Sequence, residues 1–198
     1  MRTKFIGVVA LLSALLVCWA CGNKPATAIS NQPTNQAQTP AGEVRFKAPD
    51  GWTVEKPASD MRARVAQYKL PKAEGDKEDA SLVLYYFGAS QGGTAQANID
   101  RWISQMQQPD GSDSKSKAKT ENLTVNGLKV TSVDVTGTYT AEMAPGSKTF
   151  HNDNDYRLRA AVIETPKGNY FVKLTGPTKT IARWDQSYND YLKSFEFK

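Results

Sequence analysis

The chain has 198 residues, of which 39% are hydrophobic, and a formal net charge of +5. A chain of this length can bury a sizeable core without disulfides or metals. Without Arg2 and Lys4, which belong to a predicted export signal, the charge falls to +3. That charge is too mild to indicate nucleic acid as a partner.

The N terminus has the pattern of an export signal. Arg2 and Lys4 precede an apolar run over residues 5–17. A run of this length is too short to span a hydrocarbon core of ~30 Å as a helix, which needs about 20 residues. A charged start followed by a short apolar run is typical of a secretory signal.

Both cysteines, Cys18 and Cys21, follow this run. Residues 17–21 (Val-Cys-Trp-Ala-Cys) resemble the lipobox of bacterial lipoproteins, in which a small residue, here Ala20, precedes the modified cysteine. The resemblance implies that Cys21 is lipidated and that its acyl chains hold the protein to a membrane. Gly22 is typical of lipoproteins sorted to the outer membrane, facing the periplasm. The alternative is an ordinary signal peptide cut near Ala20.

We therefore predict three parts: a signal peptide over residues 1–20, the lipidated cysteine with a flexible tether over residues 21–42, and a single α+β domain over residues 43–198. The tether is rich in Asn, Gln, Thr, Ala and Pro. Such a composition cannot bury enough apolar surface to offset the entropy lost on ordering. The domain contains no cysteine, so no disulfide forms within it.

The first half of the domain predicts strands and then a helix. Alternating residues predict a strand over 43–47, and residues 61–70 predict another with a β-bulge near Val65, where the apolar positions change phase. Residues 81–87 are apolar on both faces and predict a central strand. Thr94 is expected to cap a helix whose buried stripe contains Ile99, Trp102, Ile103 and Met106.

The second half predicts two hairpins, with turns at Asn126-Gly127 and at residues 166–169. An exposed strand face is indicated by the alternating residues Lys115, Lys117 and Lys119. One helix over about residues 178–193 and a short edge strand over residues 194–197 complete the domain. The predicted fold is α+β, an antiparallel β-sheet flanked by helices.

Motifs at both ends of the domain resemble those of the Mog1/PsbP-like fold. They are Pro-Asp-Gly-Trp at residues 49–52 and Tyr-Leu-Lys-Ser-Phe at residues 191–195. The resemblance implies an α/β/α sandwich and a non-enzymatic accessory or binding module, since fold alone assigns no activity. Blocks similar to those of an uncharacterised family of exported bacterial proteins occur at residues 57–62, 85–88 and 98–105.

A row of polar residues lies beside the buried stripe of the first predicted helix. Asn98, Arg101 and Gln105 are at positions i, i+3 and i+7 and therefore share a face. We expect this row to approach the segment over residues 59–62, which contains Arg62. The four residues then either hold the fold together, the interpretation we favour, or line a groove for a ligand.

His151 is the only histidine and stands close to Asp153 and Asp155. Imidazole and carboxylate are both metal ligands. However, Leu158 occupies the position at which a calcium loop that begins at Asp153 needs glycine. We therefore interpret the segment as a polar loop, predict no metal and no cofactor, and retain these three residues as the alternative metal ligands.

The sequence lacks the usual nucleophilic motifs. A lipidated Cys21 leaves no thiol in the domain, and no Gly-x-Ser-x-Gly motif occurs. We predict that the protein is not an enzyme but a membrane-anchored accessory or binding protein of the cell envelope. Its expected partners are the membrane, through the lipid, and an envelope protein or glycan. The alternatives are a small-ligand or metal-binding module and an unrecognised hydrolase.

Overall fold

The computed structural model describes residues 43–56 and 63–198. The predicted signal peptide, Cys21, the tether and Arg62 lie outside these residues. None of the helices in the described part of the chain is both long and apolar enough to cross a membrane.

The described residues form strands and helices in an order close to the predicted one. The strands are β1 (Val44–Arg45), β2 (Thr53–Glu55), β3 (Arg64–Leu70), β4 (Ala80–Tyr86), β5 (Met106–Gln107), β6 (Lys119–Val125), β7 (Leu128–Tyr139), β8 (Asp153–Thr165), β9 (Gly168–Pro177) and β10 (Glu196–Phe197). The helices are α1 (Ala95–Ile103), α2 (Ser114–Lys117), α3 (Thr178–Arg183) and α4 (Asp185–Lys193).

The main sheet has the strand order β2-β3-β4-β9-β8-β7-β5, and β6 also pairs with β7. All of these pairs are antiparallel. A separate ribbon joins β1 to β10, with Val44 opposite Phe197, and so ties the two ends of the domain together.

The sheet is covered on both faces because apolar side chains alternate between them. On one face, Ala161 and Ile163 of β8 belong to a core with residues of α3 and α4. On the other face, Leu158 and Val162 of the same strand belong to a second core with residues of α1. Burial of each large apolar side chain contributes about 1.5–3 kcal/mol to the stability of the fold. The predicted α+β sheet flanked by helices is therefore confirmed, with helices on both sides.

Two local predictions are confirmed. The register of β3 and β4 shifts between Arg64 and Ala66, which is the bulge expected near Val65. Asn126 and Gly127 both have positive φ, 48° and 82°, as a two-residue hairpin turn with a right-handed twist requires.

Three local predictions were wrong. Helix α1 ends at Ile103, and Met106 is buried as a residue of β5 because residues 106–107 pair with β7. The last helix is divided at Trp184, whose backbone leaves the helical region (φ −104°, ψ 10°) and whose indole donates a hydrogen bond to the Pro71 carbonyl. Lys115 and Lys117 lie on α2, which Asp113 caps, and not on a strand.

Candidate functional site

Asn98 is a buried structural residue of α1. Its side chain is 3% exposed. Its Nδ2 donates hydrogen bonds to the carbonyls of Gly92 (2.8 Å) and Thr94 (2.9 Å), which closes the loop before the helix. Its Oδ1 accepts a hydrogen bond of 2.6 Å from Nη2 of Arg101. Asn98 thus holds the exposed Arg101 guanidinium in place.

Gln105 links the end of α1 to the sheet. Its backbone carbonyl accepts hydrogen bonds from the amide and hydroxyl of Thr140, at 2.8 Å and 3.2 Å. Its Oε1 accepts a 2.6 Å hydrogen bond from Nζ of Lys173 on β9. Lys173 Nζ also donates to the hydroxyl of Tyr139 at 2.9 Å and lies 5.1 Å from the centroid of that ring.

We call Asn98, Arg101, Gln105, Tyr139 and Lys173 the Lys173 cluster. Of the four residues predicted to lie together, Asn98 and Arg101 are hydrogen-bonded to each other, and Gln105 is hydrogen-bonded to Lys173. The fourth predicted residue, Arg62, lies outside the described residues.

The electrostatics of the Lys173 cluster follow from burial. Loss of solvation lowers the pKa of Lys173 to about 8, and the positive charge of Arg101 lowers it further. Burial raises the pKa of Tyr139 to about 12, with smaller contributions from Tyr85 and Asp153. At neutral pH the ammonium is thus mostly charged, and both of its hydrogen-bond partners are neutral.

A further arginine and an aromatic pair lie on the same face of the sheet. Lys173 is opposite Val83 of β4, and Tyr85 of β4 is opposite Arg64 of β3, so these side chains point to the side of α1. The Arg64 guanidinium lies 5.8 Å from the Tyr85 ring centroid. The Tyr85 and Phe87 rings are stacked with centroids 6.0 Å apart.

Among the described residues, these cations have no acidic partner. Within residues 43–56 and 63–198, no carboxylate forms an ion pair with Arg64, Arg101 or Lys173. Arg64 instead donates a 2.6 Å hydrogen bond to Oε1 of Gln67. Three cations from α1, β3 and β9 are therefore held by neutral amides and a phenol.

His151 lies beside this cluster rather than in a separate site. Its Nδ1 is 2.8 Å from Oδ2 of Asp153, and its ring centroid is 4.9 Å from that of Tyr139. Asp155 is exposed with a positive φ of 59°, and its backbone carbonyl accepts a hydrogen bond from Thr178. In the described part of the chain, no three His, Cys, Asp or Glu side chains are placed to hold a metal ion.

Sequence reasoning missed Lys173, Tyr139, Arg64 and Tyr85. A signal for Lys173 is present: it is the one cation within the apolar segment Phe171–Leu174, and strand alternation places it on the same face as Phe171. Its neighbours come from strands distant in sequence, which residue spacing does not reveal.

Comparisons with known proteins bear on the fold. No family model and no curated protein matches the chain. Among solved structures, LpqN of Mycobacterium tuberculosis, described as involved in cell envelope biogenesis, is similar at a TM-score of 0.51 and 9% identity, covering 82% of this chain and 87% of that chain. The chain shares the fold of LpqN. At this identity the likeness extends to the fold and no further.

Two other solved structures have TM-scores below 0.5, and we base no conclusion on them. PA94 of Pseudomonas aeruginosa, a protein of unknown function, is 15% identical at a TM-score of 0.41, covering 72% of this chain and 94% of that chain. The cyanobacterial PsbP of Synechocystis sp. PCC 6803 is 12% identical at a TM-score of 0.45, covering 78% and 86%.

Proposed function

We propose that the protein is a lipid-anchored accessory or binding protein of the cell envelope, attached through Cys21 to the outer membrane and facing the periplasm. It acts by contact with an envelope molecule and not by catalysis. The observation that carries the binding role is the Lys173 cluster, in which the described hydrogen-bond partners of a partly buried ammonium are all neutral.

The envelope location is supported by two observations. The apolar run over residues 5–17 and the small Ala20 before Cys21 match an export signal with a lipidation site. LpqN, which has the same fold, is described as involved in cell envelope biogenesis. The tether over residues 22–42 would let the domain reach about 25 Å from the membrane as a flexible coil.

The binding role is supported by the geometry of the cations. A charge taken out of water without a partner destabilises the folded protein, so such groups are usually paired. Lys173 and Arg101 are close enough for one to lower the pKa of the other, and both lack a carboxylate within the described ranges. A ligand with a negative charge would supply the missing partner.

Replacement of Cys21 tests the anchor. Cys21→Ser should move the protein from the membrane fraction to the soluble fraction and abolish labelling with radioactive palmitate, because the proposed lipidation site then has no thiol to accept the lipid. Cys18→Ser is the matched control and should leave both properties unchanged. Retention of Cys21→Ser on membranes, or release by Cys18→Ser, would contradict the proposed anchor.

A crosslinking experiment tests the contact role. The wild-type protein, an Arg101→Gln/Lys173→Gln double variant and an anchor-only fusion of residues 1–42 to a carrier are crosslinked in intact cells. The proposal predicts a partner that is captured by the wild type and lost in the double variant. Equal capture by all three proteins, or turnover of an envelope substrate by the purified wild type, would contradict it.

A further inference from the structure

We propose that the α1-side surface formed by Arg64, Arg101 and Lys173, together with the aromatic pair Tyr85 and Phe87, binds an acidic glycan. The cations would hold a carboxylate or phosphate of a sugar, and the aromatic pair would contact the sugar ring. This inference names the ligand class of the proposed envelope-binding role and rests on that role.

The cations retain free donors for an oxyanion. An ammonium has three N–H donors, and Lys173 uses two of them on Gln105 and Tyr139. The guanidiniums of Arg64 and Arg101 each have five donors, and the described side-chain contacts use one of each, to Gln67 and Asn98. Arginine in particular matches carboxylate and phosphate in a two-bond geometry.

Nearby carboxylates are occupied elsewhere. Glu55 on β2 forms an ion pair with Lys69 (3.1 Å) and accepts a hydrogen bond from Gln67 (2.9 Å). Asp153, which faces Tyr139 from β8, is bonded to His151. Neither Glu55 nor Asp153 forms an ion pair with a cation of this surface.

The aromatic pair favours a sugar over a simple ion. Phe87 is 46% exposed and lies stacked on Tyr85, which Arg64 covers from the β3 side. An exposed aromatic face beside donors of hydrogen bonds presents an apolar surface and polar groups together, which is the composition of a ligand site. A phosphate ion alone would leave this face unused.

The recessed position of Lys173 favours a glycan over a membrane surface. Polybasic segments that bind anionic lipids present clusters of exposed cations to the bilayer. Here Lys173 is partly buried and bonded to Gln105 and Tyr139, which suits a single acidic group projecting from a ligand better than a flat anionic surface.

Binding is measured by calorimetry and NMR titration on the full chain carrying Cys21→Ser. The probes are a galacturonate oligomer and glucose 6-phosphate, each compared with its uncharged counterpart, the methyl ester of the oligomer and glucose. At least one acidic probe should bind, and its uncharged counterpart should bind at least tenfold more weakly. No binding of either acidic probe, or equal binding of charged and uncharged forms, would overturn the proposal.

Variants locate the site. Arg101→Gln, Lys173→Gln and Arg64→Gln should each weaken binding of the acidic probe about tenfold or more, the effect of losing one charged hydrogen bond. Phe87→Ala should weaken binding of the acidic sugar while leaving that of inorganic phosphate unchanged. Lys119→Gln, an exposed lysine at the start of β6, is the control and should bind as the wild type does. An equal loss in Lys119→Gln would show nonspecific charge attraction and overturn the site.

Two further results separate this inference from its alternatives. Binding to vesicles containing phosphatidylglycerol that depends on Lys173, without binding to acidic sugars, would identify a lipid headgroup and overturn the glycan. If Lys173→Gln fails to fold by circular dichroism, the exposed Arg101→Gln decides. Loss of sugar binding leaves the fractionation and crosslinking results of the proposed function intact, so the two claims fail separately.

Discussion

The two faces of the sheet differ in whether carboxylates pair with their partly buried cations. On the face covered by α4, Arg157 and Arg159 of β8 are paired with Asp134 of β7 and Asp185 of α4. On the face covered by α1, the partners of Lys173 among the described residues are a phenol and an amide. The two clusters lie on the same antiparallel sheet and differ in whether acids accompany the cations.

The paired cluster has the features of a structural network. Arg157 Nε donates to Oδ1 of Asp134 at 2.8 Å, and its Nη1 donates to Oδ2 of Asp185 at 3.0 Å. The hydrogen bond to Asp134 is the main reason why the pKa of Arg157 is raised. Arg159 also bonds Asn189 and stacks on Tyr188, 4.3 Å from the ring centroid. These contacts join α4 to the sheet, so the charges of the paired cluster stabilise the folded protein. The desolvation of Lys173 instead destabilises it.

The largest effect is expected from Arg157→Leu, which breaks the paired cluster. Asp134 and Asp185 would lose a charged partner, and we expect the free energy of unfolding to fall by about 2–3 kcal/mol, less than for a fully buried pair because Asp185 is 41% exposed. Urea denaturation measures this. Lys129→Met, which removes the exposed ion pair with Glu164, is the control and should cost less than about 1 kcal/mol. Equal effects of the two variants would contradict the structural role.

Lys173→Met should raise the free energy of unfolding, the opposite of the effect of Arg157→Leu. The lowering of the pKa of Lys173 from 10.5 to about 8 is a destabilisation of the charged folded protein by burial. The two lost hydrogen bonds offset part of the gain, at about 1 kcal/mol each. We expect the variant to be more stable than the wild type by about 1–2 kcal/mol at pH 7 and to lose sugar binding. A less stable variant in urea denaturation would show that Lys173 supports the fold.

The stability difference between the wild type and Lys173→Met should depend on pH. Between pH 8 and 10.5, Lys173 is mainly neutral in the folded chain but charged in the unfolded chain, so the unfolded chain binds more protons. The free energy of unfolding of the wild type should therefore rise with pH in this range relative to Lys173→Met. The advantage of the variant, about 1–2 kcal/mol at pH 7, should disappear by pH 10.

Tyrosine ionisation in the folded chain does not disturb this comparison up to pH 10, because burial raises the pKa of Tyr139, which contacts Lys173, to about 12. Urea denaturation of both proteins at several pH values gives the difference directly. A difference that stays constant from pH 7 to 10 would mean that the pKa of Lys173 is not lowered.

The smallest effect on stability is expected from Gln105→Glu, which gives Lys173 the acid that it lacks. The attraction between the two charges is offset by the desolvation of the new carboxylate, so the free energy of unfolding should change by less than about 1 kcal/mol. The affinity for the acidic sugar should nevertheless fall at least tenfold, because the new carboxylate would take the place of the acidic group of the sugar beside Lys173. Gln107→Glu, at an exposed position of β5, is the matched control. Unchanged sugar binding in Gln105→Glu would place the ligand elsewhere.

The sequence predicted most of the fold because local signals dominate there. The turn at Asn126-Gly127, the cap at Thr94 and the alternation within β8 each depend on neighbouring residues. The break at Trp184 could not be predicted, since it accompanies a hydrogen bond to Pro71, more than a hundred residues away.

The candidate site was predicted in part for a similar reason. Asn98, Arg101 and Gln105 share a helix face or its continuation, which spacing reveals. Lys173 and Tyr139 reach them only through the strand order of the sheet, and that order depends on the complete fold. The two predicted candidates, the polar row and His151, proved to be neighbours through Tyr139.

We propose that Lys173 is a partly buried cation whose acidic partner is a ligand. NMR titration of the ¹³Cε resonance of Lys173, assigned by its absence in Lys173→Met, tests this most directly. We expect a pKa near 8 in the free protein and a rise of at least one unit with the acidic sugar bound. A pKa near 10.5 in the free protein, or the same value with and without the sugar, would contradict it.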